Sequence, residues 1–119
     1  MIVVVTGGRE YNDAARVNAC LDWIHAGACI TVLVQGGARG ADALAARWAR
    51  EHLPPERRVT VEAEWTRYGK SAGMRRNQLM LDTHKPDLVL AFPGGTGTAN
   101  CVFEARARRI PVLLESEVP

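Results

Sequence analysis

Three apolar runs in this chain each break on a pair of glycines: Ile2-Val3-Val4-Val5-Thr6 before Gly7-Gly8, Val32-Leu33-Val34-Gln35 before Gly36-Gly37, and Leu88-Val89-Leu90-Ala91-Phe92-Pro93 before Gly94-Gly95. The runs read as strands, and their alternation with helical segments implies a parallel sheet with helices on both faces. Strand ends near Thr6, Gln35, Trp65 and Phe92 recur about every 27 to 30 residues, the length of one strand and one returning helix. The fold class expected is α/β, a doubly wound sheet of about five mainly parallel strands in the order 3-2-1-4-5. In that order the glycine turns gather along one sheet edge, where free backbone N–H groups can hold an anion.

Helical patterns fill the intervals. The first runs from about Asp13 to Ala26, with Asn12 or Asp13 as N-cap, a stripe of Val17, Leu21 and Ile24, and Gly27 as its stop. The second starts beside Gly40, carries Leu44 and Trp48 inward, and ends before Pro54-Pro55. A third strand is expected from Val59 to Glu64 or Trp65. Ser71 then caps a helix with Met74, Asn77 and Leu81 on one side, and Pro86 ends it. A last helix spans roughly Gly97 to Arg109, before a short strand around Ile110-Pro111-Val112-Leu113-Leu114.

At 119 residues and 47% apolar content, the chain fits one domain over 1–119. Fifteen Lys and Arg against 13 acidic residues leave a net charge of +2, which neither demands nor excludes nucleic acid. Basic residues do cluster, at Arg67, Lys70, Arg75 and Arg76 and again at Arg106, Arg108 and Arg109. No apolar stretch approaches the ~18 residues of a membrane span. Met1 leads straight into the first strand, so the expectation is a cytoplasmic protein with no membrane partner. Cys20, Cys29 and Cys101, like His25, His52 and His84, lack metal-ligand spacing; no metal and no cofactor are predicted.

The strongest anion signal is Pro93-Gly94-Gly95-Thr96-Gly97-Thr98, where a strand passes into a helix whose first N–H groups and dipole face the ligand, with Thr96 and Thr98 adding hydroxyls. It is no Walker A loop, because no Gly-Lys-Ser or Gly-Lys-Thr follows, and Asn100 stands where a dinucleotide fingerprint has its third glycine. Gly36, Gly37 and Ala38 open the second helix in the same way. Asp42 there suits a hydroxyl or a base, or the helix N-terminus itself, better than a phosphate. Thr6, Gly7 and Gly8 lie between, and Arg9 either reaches across the crevice or is a solvated loop residue. Arg75 and Arg76 point about a hundred degrees apart on a helix, so one of them faces the site, and Arg76 is the candidate for bidentate phosphate contact.

These motifs, with Trp65, Gly69-Lys70, Ala72-Gly73, Arg76-Asn77 and Met80, resemble the SLOG superfamily, which joins the lonely-guy phosphoribohydrolases, the DNA-processing protein DprA and the YpsA and YspA groups. The likeness is closest to the small YspA-like group. It implies a Rossmann-like fold and a site for a nucleotide or nucleotide derivative, with Lys70, Asn77 and Asn100 joining the site. In lonely-guy enzymes an arginine precedes a lysine on the corresponding helix, and a glutamate follows the glycine loop and helps cleave the base–ribose bond. Here Arg76 matches the arginine, Asn77 replaces the lysine, and Asn100 and Cys101 occupy the glutamate's positions.

Three readings follow. The leading one is nucleotide binding without turnover, as a sensor or accessory domain. The second is a nucleotide N-glycosidase, a hydrolase using Arg76 with a relocated carboxylate, Glu104 or Glu64. In this context Cys101, in the first turn of a helix, is a weaker candidate nucleophile and more readily a buried structural thiol. The third is single-stranded DNA binding in the manner of DprA, disfavoured by the modest charge and by an aromatic complement of only Trp65 and Tyr68 near the basic cluster. The lonely-guy likeness also makes a homodimer an expected partner arrangement.

Overall fold

A computed structural model describes residues Met1 to Pro119. Five strands, β1 (Ile2–Thr6), β2 (Val32–Gln35), β3 (Arg58–Thr60), β4 (Leu88–Ala91) and β5 (Val112–Leu114), form one sheet in the order β3-β2-β1-β4-β5. Every pairing is parallel, with Val4 aligned to Val34 on one side and to Val89 on the other. This is the doubly wound order that the strand spacing predicts.

Because side chains alternate along a strand, the valines of β1 serve both faces. Val3 and Val5 pack with Val17 and Leu21 of α1 (Ala14–Ala28) and with Ala45 and Trp48 of α2 (Ala41–His52). Val4 faces the other way, with Met80 and Leu81 of α4 (Ala72–His84) and Cys101 and Ala105 of α5 (Thr96–Ala107). A short helix, α3 (Trp65–Tyr68), precedes α4 through a 3-10 turn at Gly69–Ser71. No helix is long and apolar enough to cross a membrane.

Four local expectations are corrected. The third strand ends at Thr60, not at Glu64 or Trp65. Its only neighbour, β2, leaves the sheet after Gln35, whose carbonyl accepts a last bond from Val61 N–H at 2.9 Å. Beyond that the edge strand has nothing to pair with, and Trp65 opens α3 instead. Gly27 does not stop α1, which runs on to Ala28 and closes where Ile30 N–H donates to His25 Nδ1 at 2.9 Å. Asp13 is the N-cap, accepting from Arg16 N–H at 3.0 Å. Ser71 does not cap α4, because its hydroxyl donates to the Tyr68 carbonyl. Met74 is exposed; in the first turn of α4 it is Ala72 that is buried, and Gly73 lines the cleft described below.

Candidate functional site

The carboxyl ends of β1, β2 and β4 carry three loops that interlock through backbone bonds. Gly8 N–H donates to the Pro93 carbonyl at 2.9 Å, and the Gly8 carbonyl accepts from Tyr11 and from Ala41 at the start of α2. Gly40 permits this approach: its φ is +79°, and any Cβ there would strike the Gly8 carbonyl oxygen and stand 2.6 Å from the carbonyl carbon of Arg9.

Above the interlocked loops lies a cavity of about 440 Å³, and a second of about 370 Å³ adjoins it, sharing Arg9, Ala38, Trp65 and Arg76. Thr6, Gly7, Gly8, Asp42, Asn77, Gly95, Thr96, Gly97 and Thr98 line the first. Gly36 and Gly37 line the second. The structure thus gathers most of the sequence-derived site residues around one cleft. Pro93 and Gly94 are not lining residues, and Pro93 supports the cleft through its bond to Gly8.

At the cleft's α5 end the helix begins at Gly95 with no capping side chain, leaving first-turn N–H groups facing the cavity. Arg76 is braced over the other side. Its Nη1 donates to the Gly36 carbonyl at 2.5 Å and its Nε to Asn77 Oδ1 at 3.0 Å, while Arg75 stacks on Tyr68 outside the cleft. Asn77 is buried and donates through Nδ2 to the Gly97 carbonyl and to Asn100 Oδ1. Asn100 therefore touches the cradle through Asn77 and does not line it. Lys70 lies outside altogether, on the exposed turn between α3 and α4.

Asp42 is 6% exposed, and its Oδ2 accepts from Gly36 and Ala38 N–H, so the carboxylate ties the β2 loop to α2. Burial pushes its pKa above the ordinary aspartate value, against the pull of the Ala38 N–H and the nearby Arg76. With the folded-state pKa above the unfolded one, the stabilising contribution is complete below the ordinary value and is lost as pH rises through the raised one. Asp42→Asn removes that titration. Urea midpoints at successive pH values should then show the variant gaining on the wild type as pH rises across this window.

The relocated carboxylates fare differently. Glu104 is buried away from the cleft, where Gln78 Nε2 and Arg108 Nη1 each donate to it at 3.0 Å and hold its carboxyl below the usual range. One turn along α5 from Asn100, it faces the α4 seam rather than the cavity. Glu64 does not end a strand; it is exposed just before α3, 3.9 Å from Arg67. Neither candidate lines either cavity. Cys101 is fully buried on the core side of α5, and burial pushes its thiol up to about 11 although the Thr6 hydroxyl works the other way, so the thiolate a nucleophile needs is suppressed.

The residues that sequence reasoning left out of the site are Glu62, Ala63, Trp65, Gly73 and Arg39. Trp65 belongs to the motif set that carries the family resemblance, and the sequence leaves open whether it packs on the sheet or stacks on a base; the structure makes it a wall shared by both cavities. Glu62 carried no signal while it was counted as part of a strand.

The sequence profile of the YspA, cpYpsA-related SLOG family matches residues 1–68, from β1 through α3. The Gene 61 protein of Mycobacterium phage D29 is 40% identical over 123 aligned positions, covering 98% of each chain. The chain belongs to this SLOG family. A solved structure of DNA processing protein A from Helicobacter pylori, a protein with a single-stranded DNA binding mode, shares the fold with a TM-score of 0.70 at 16% identity. The match covers 96% of the SLOG chain, which spans 64% of the length of that neighbour.

Proposed function

We propose that the cleft binds a nucleotide or nucleotide derivative, with its phosphate at the N-terminus of α5 and its base toward β2 and β3. The observation that carries this reading is the uncapped start of α5 facing the Arg76 guanidinium across a cavity of about 440 Å³, a size that suits a small ligand. Binding is favoured over base cleavage because Asp42, the carboxylate nearest this cradle, is committed to two loop N–H groups, and Glu104 and Glu64 stand outside. A sensor or accessory role follows from binding without turnover. The protein would act in the cytoplasm, alone or as a homodimer.

Isothermal titration of the full chain against nucleoside mono- and diphosphates and ADP-ribose-like derivatives tests the reading. Saturable binding of at least one is expected, with no free base released over hours. Folded protein that binds none of them would remove the proposal.

The fold likeness to DNA processing protein A favours a second reading, in which the same edge receives the sugar-phosphate of single-stranded DNA. Arg67 and Arg75, both stacked on Tyr68 beside the cleft, would then extend the track. Its mark is a steep fall of oligonucleotide affinity with salt, which a mononucleotide site does not require.

A further inference from the structure

We infer that the second cavity is a base subsite selective for guanine, with Glu62 reading the far edge of the base; this rests on the nucleotide reading of the first cavity. The argument starts from which charged groups around the cleft are already satisfied. Arg39 is paired with Glu10, Arg76 is held by the Gly36 carbonyl and Asn77, and Asp42 accepts from the loop. Two charged lining groups enter neither an ion pair nor a side-chain hydrogen bond: the Arg9 guanidinium and the Glu62 carboxylate.

Their placement is ordered along the sheet edge. The phosphate cradle follows β4, and Glu62 lies two residues past the end of β3. In the order β3-β2-β1-β4 these ends are three strand spacings apart, about 14 Å. That separation suits a mononucleotide laid across the edge, from phosphate to the outer edge of its base. Between the two ends stand Trp65, half exposed, and Arg9, whose guanidinium lies 5.4 Å from the Trp65 ring centroid. A flat cation on a flat aromatic is a platform on which a base stacks.

Stacking alone tolerates any base, so selectivity falls to Glu62. A carboxylate accepts hydrogen bonds and donates none. Guanine offers it two adjacent donors, N1–H and N2–H, on one edge. Adenine offers a single amino group beside the N1 lone pair, which the carboxylate repels. Hypoxanthine keeps N1–H and lacks the amino group, and uracil and thymine likewise have one imide N–H. A site that hydrogen-bonds two donors discriminates against bases that leave an acceptor unmet.

The test is titration calorimetry of the full chain with GMP, IMP, AMP and ribose 5-phosphate at one ionic strength. The expected order is GMP, then IMP, then AMP, with GMP roughly tenfold or more tighter than AMP, as one charge-assisted hydrogen bond implies. In Glu62→Gln, an exposed position where folding is not at stake, GMP should weaken about tenfold. Ribose 5-phosphate should bind the variant and the wild type alike. Equal affinity for GMP and AMP would overturn the guanine subsite and leave the nucleotide reading standing. So would a variant that weakens GMP and AMP by the same factor, which would mark Glu62 as a ribose ligand. Failure of all four compounds to bind would remove both readings together.

Discussion

Arg76→Ala should weaken nucleotide binding by roughly tenfold to a hundredfold, the cost of one charge-assisted hydrogen bond, while Arg75→Ala changes it by less than about twofold. The contrast follows from how the neighbours are held. Arg76 spends Nη1 on the Gly36 carbonyl and Nε on Asn77, which fixes the plane of the guanidinium and leaves its remaining N–H groups for the cavity. A phosphate there meets a cation already immobilised, so little side-chain entropy is lost on binding. Arg75 is stacked on Tyr68 and lines neither cavity. Arg76→Lys keeps the charge but cannot reproduce both braces, and its affinity should fall between the two. Calorimetry on the three variants reads this directly. If Arg75→Ala and Arg76→Ala weaken binding equally, with equal reductions in salt dependence, the ligand is held by diffuse charge and the ordered phosphate site is wrong.

What the sequence reveals of this molecule divides by the range of the interaction involved. The parallel sheet was legible because strand-like runs alternate with helical ones along the whole chain, and the structure shows the result in β1, where Val3 and Val5 are buried on one face and Val4 on the other. The cleft's position was legible because glycine pairs follow β1, β2 and β4, and the sheet order β3-β2-β1-β4-β5 sets those three ends side by side. Helical angle allows only one of Arg75 and Arg76 to face the cleft, and the match to the lonely-guy arginine singles out Arg76. Other features depend on contacts that no local pattern encodes. The end of β3 is set by where β2 leaves the sheet, so Glu62 and Trp65 changed from strand residues to cavity walls. Glu104 sits at the right spacing from Asn100, yet Gln78 and Arg108 on the α4 seam claim it. Lys70 fits the motif in sequence, but the turn at Gly69–Ser71 carries it outside the cleft. The family profile, which stops at residue 68, does not reach α4 or the α5 cradle.

The largest loss of stability should come from a single methyl group, in Gly40→Ala. At φ +79° an alanine is strained whatever the space around it, and here the space is filled: the new Cβ meets the Gly8 carbonyl oxygen and the Arg9 backbone. Those atoms cannot swing aside as a flexible side chain would, because the Gly8 carbonyl also accepts from Tyr11 and Ala41, and Gly8 N–H is tied to Pro93. Backbone strain and overpacking together should cost roughly 3 kcal/mol, which lowers the melting temperature by about 10 °C in a chain of this size. Gly27→Ala supplies the opposite sign. It lies in the last turn of α1 with open space at its Cβ and should gain a few tenths of a kcal/mol, up to about 1, from helix propensity. Thermal unfolding of the two variants separates glycine as a packing requirement from glycine as an ordinary helix residue. Because the β1 loop carries Arg9, nucleotide affinity should fall with stability in Gly40→Ala and stay unchanged in Gly27→Ala. A Gly40→Ala protein that melts with the wild type would mean that the β1 and α2 loops are free to separate, and the cleft they frame would then have no fixed wall on that side.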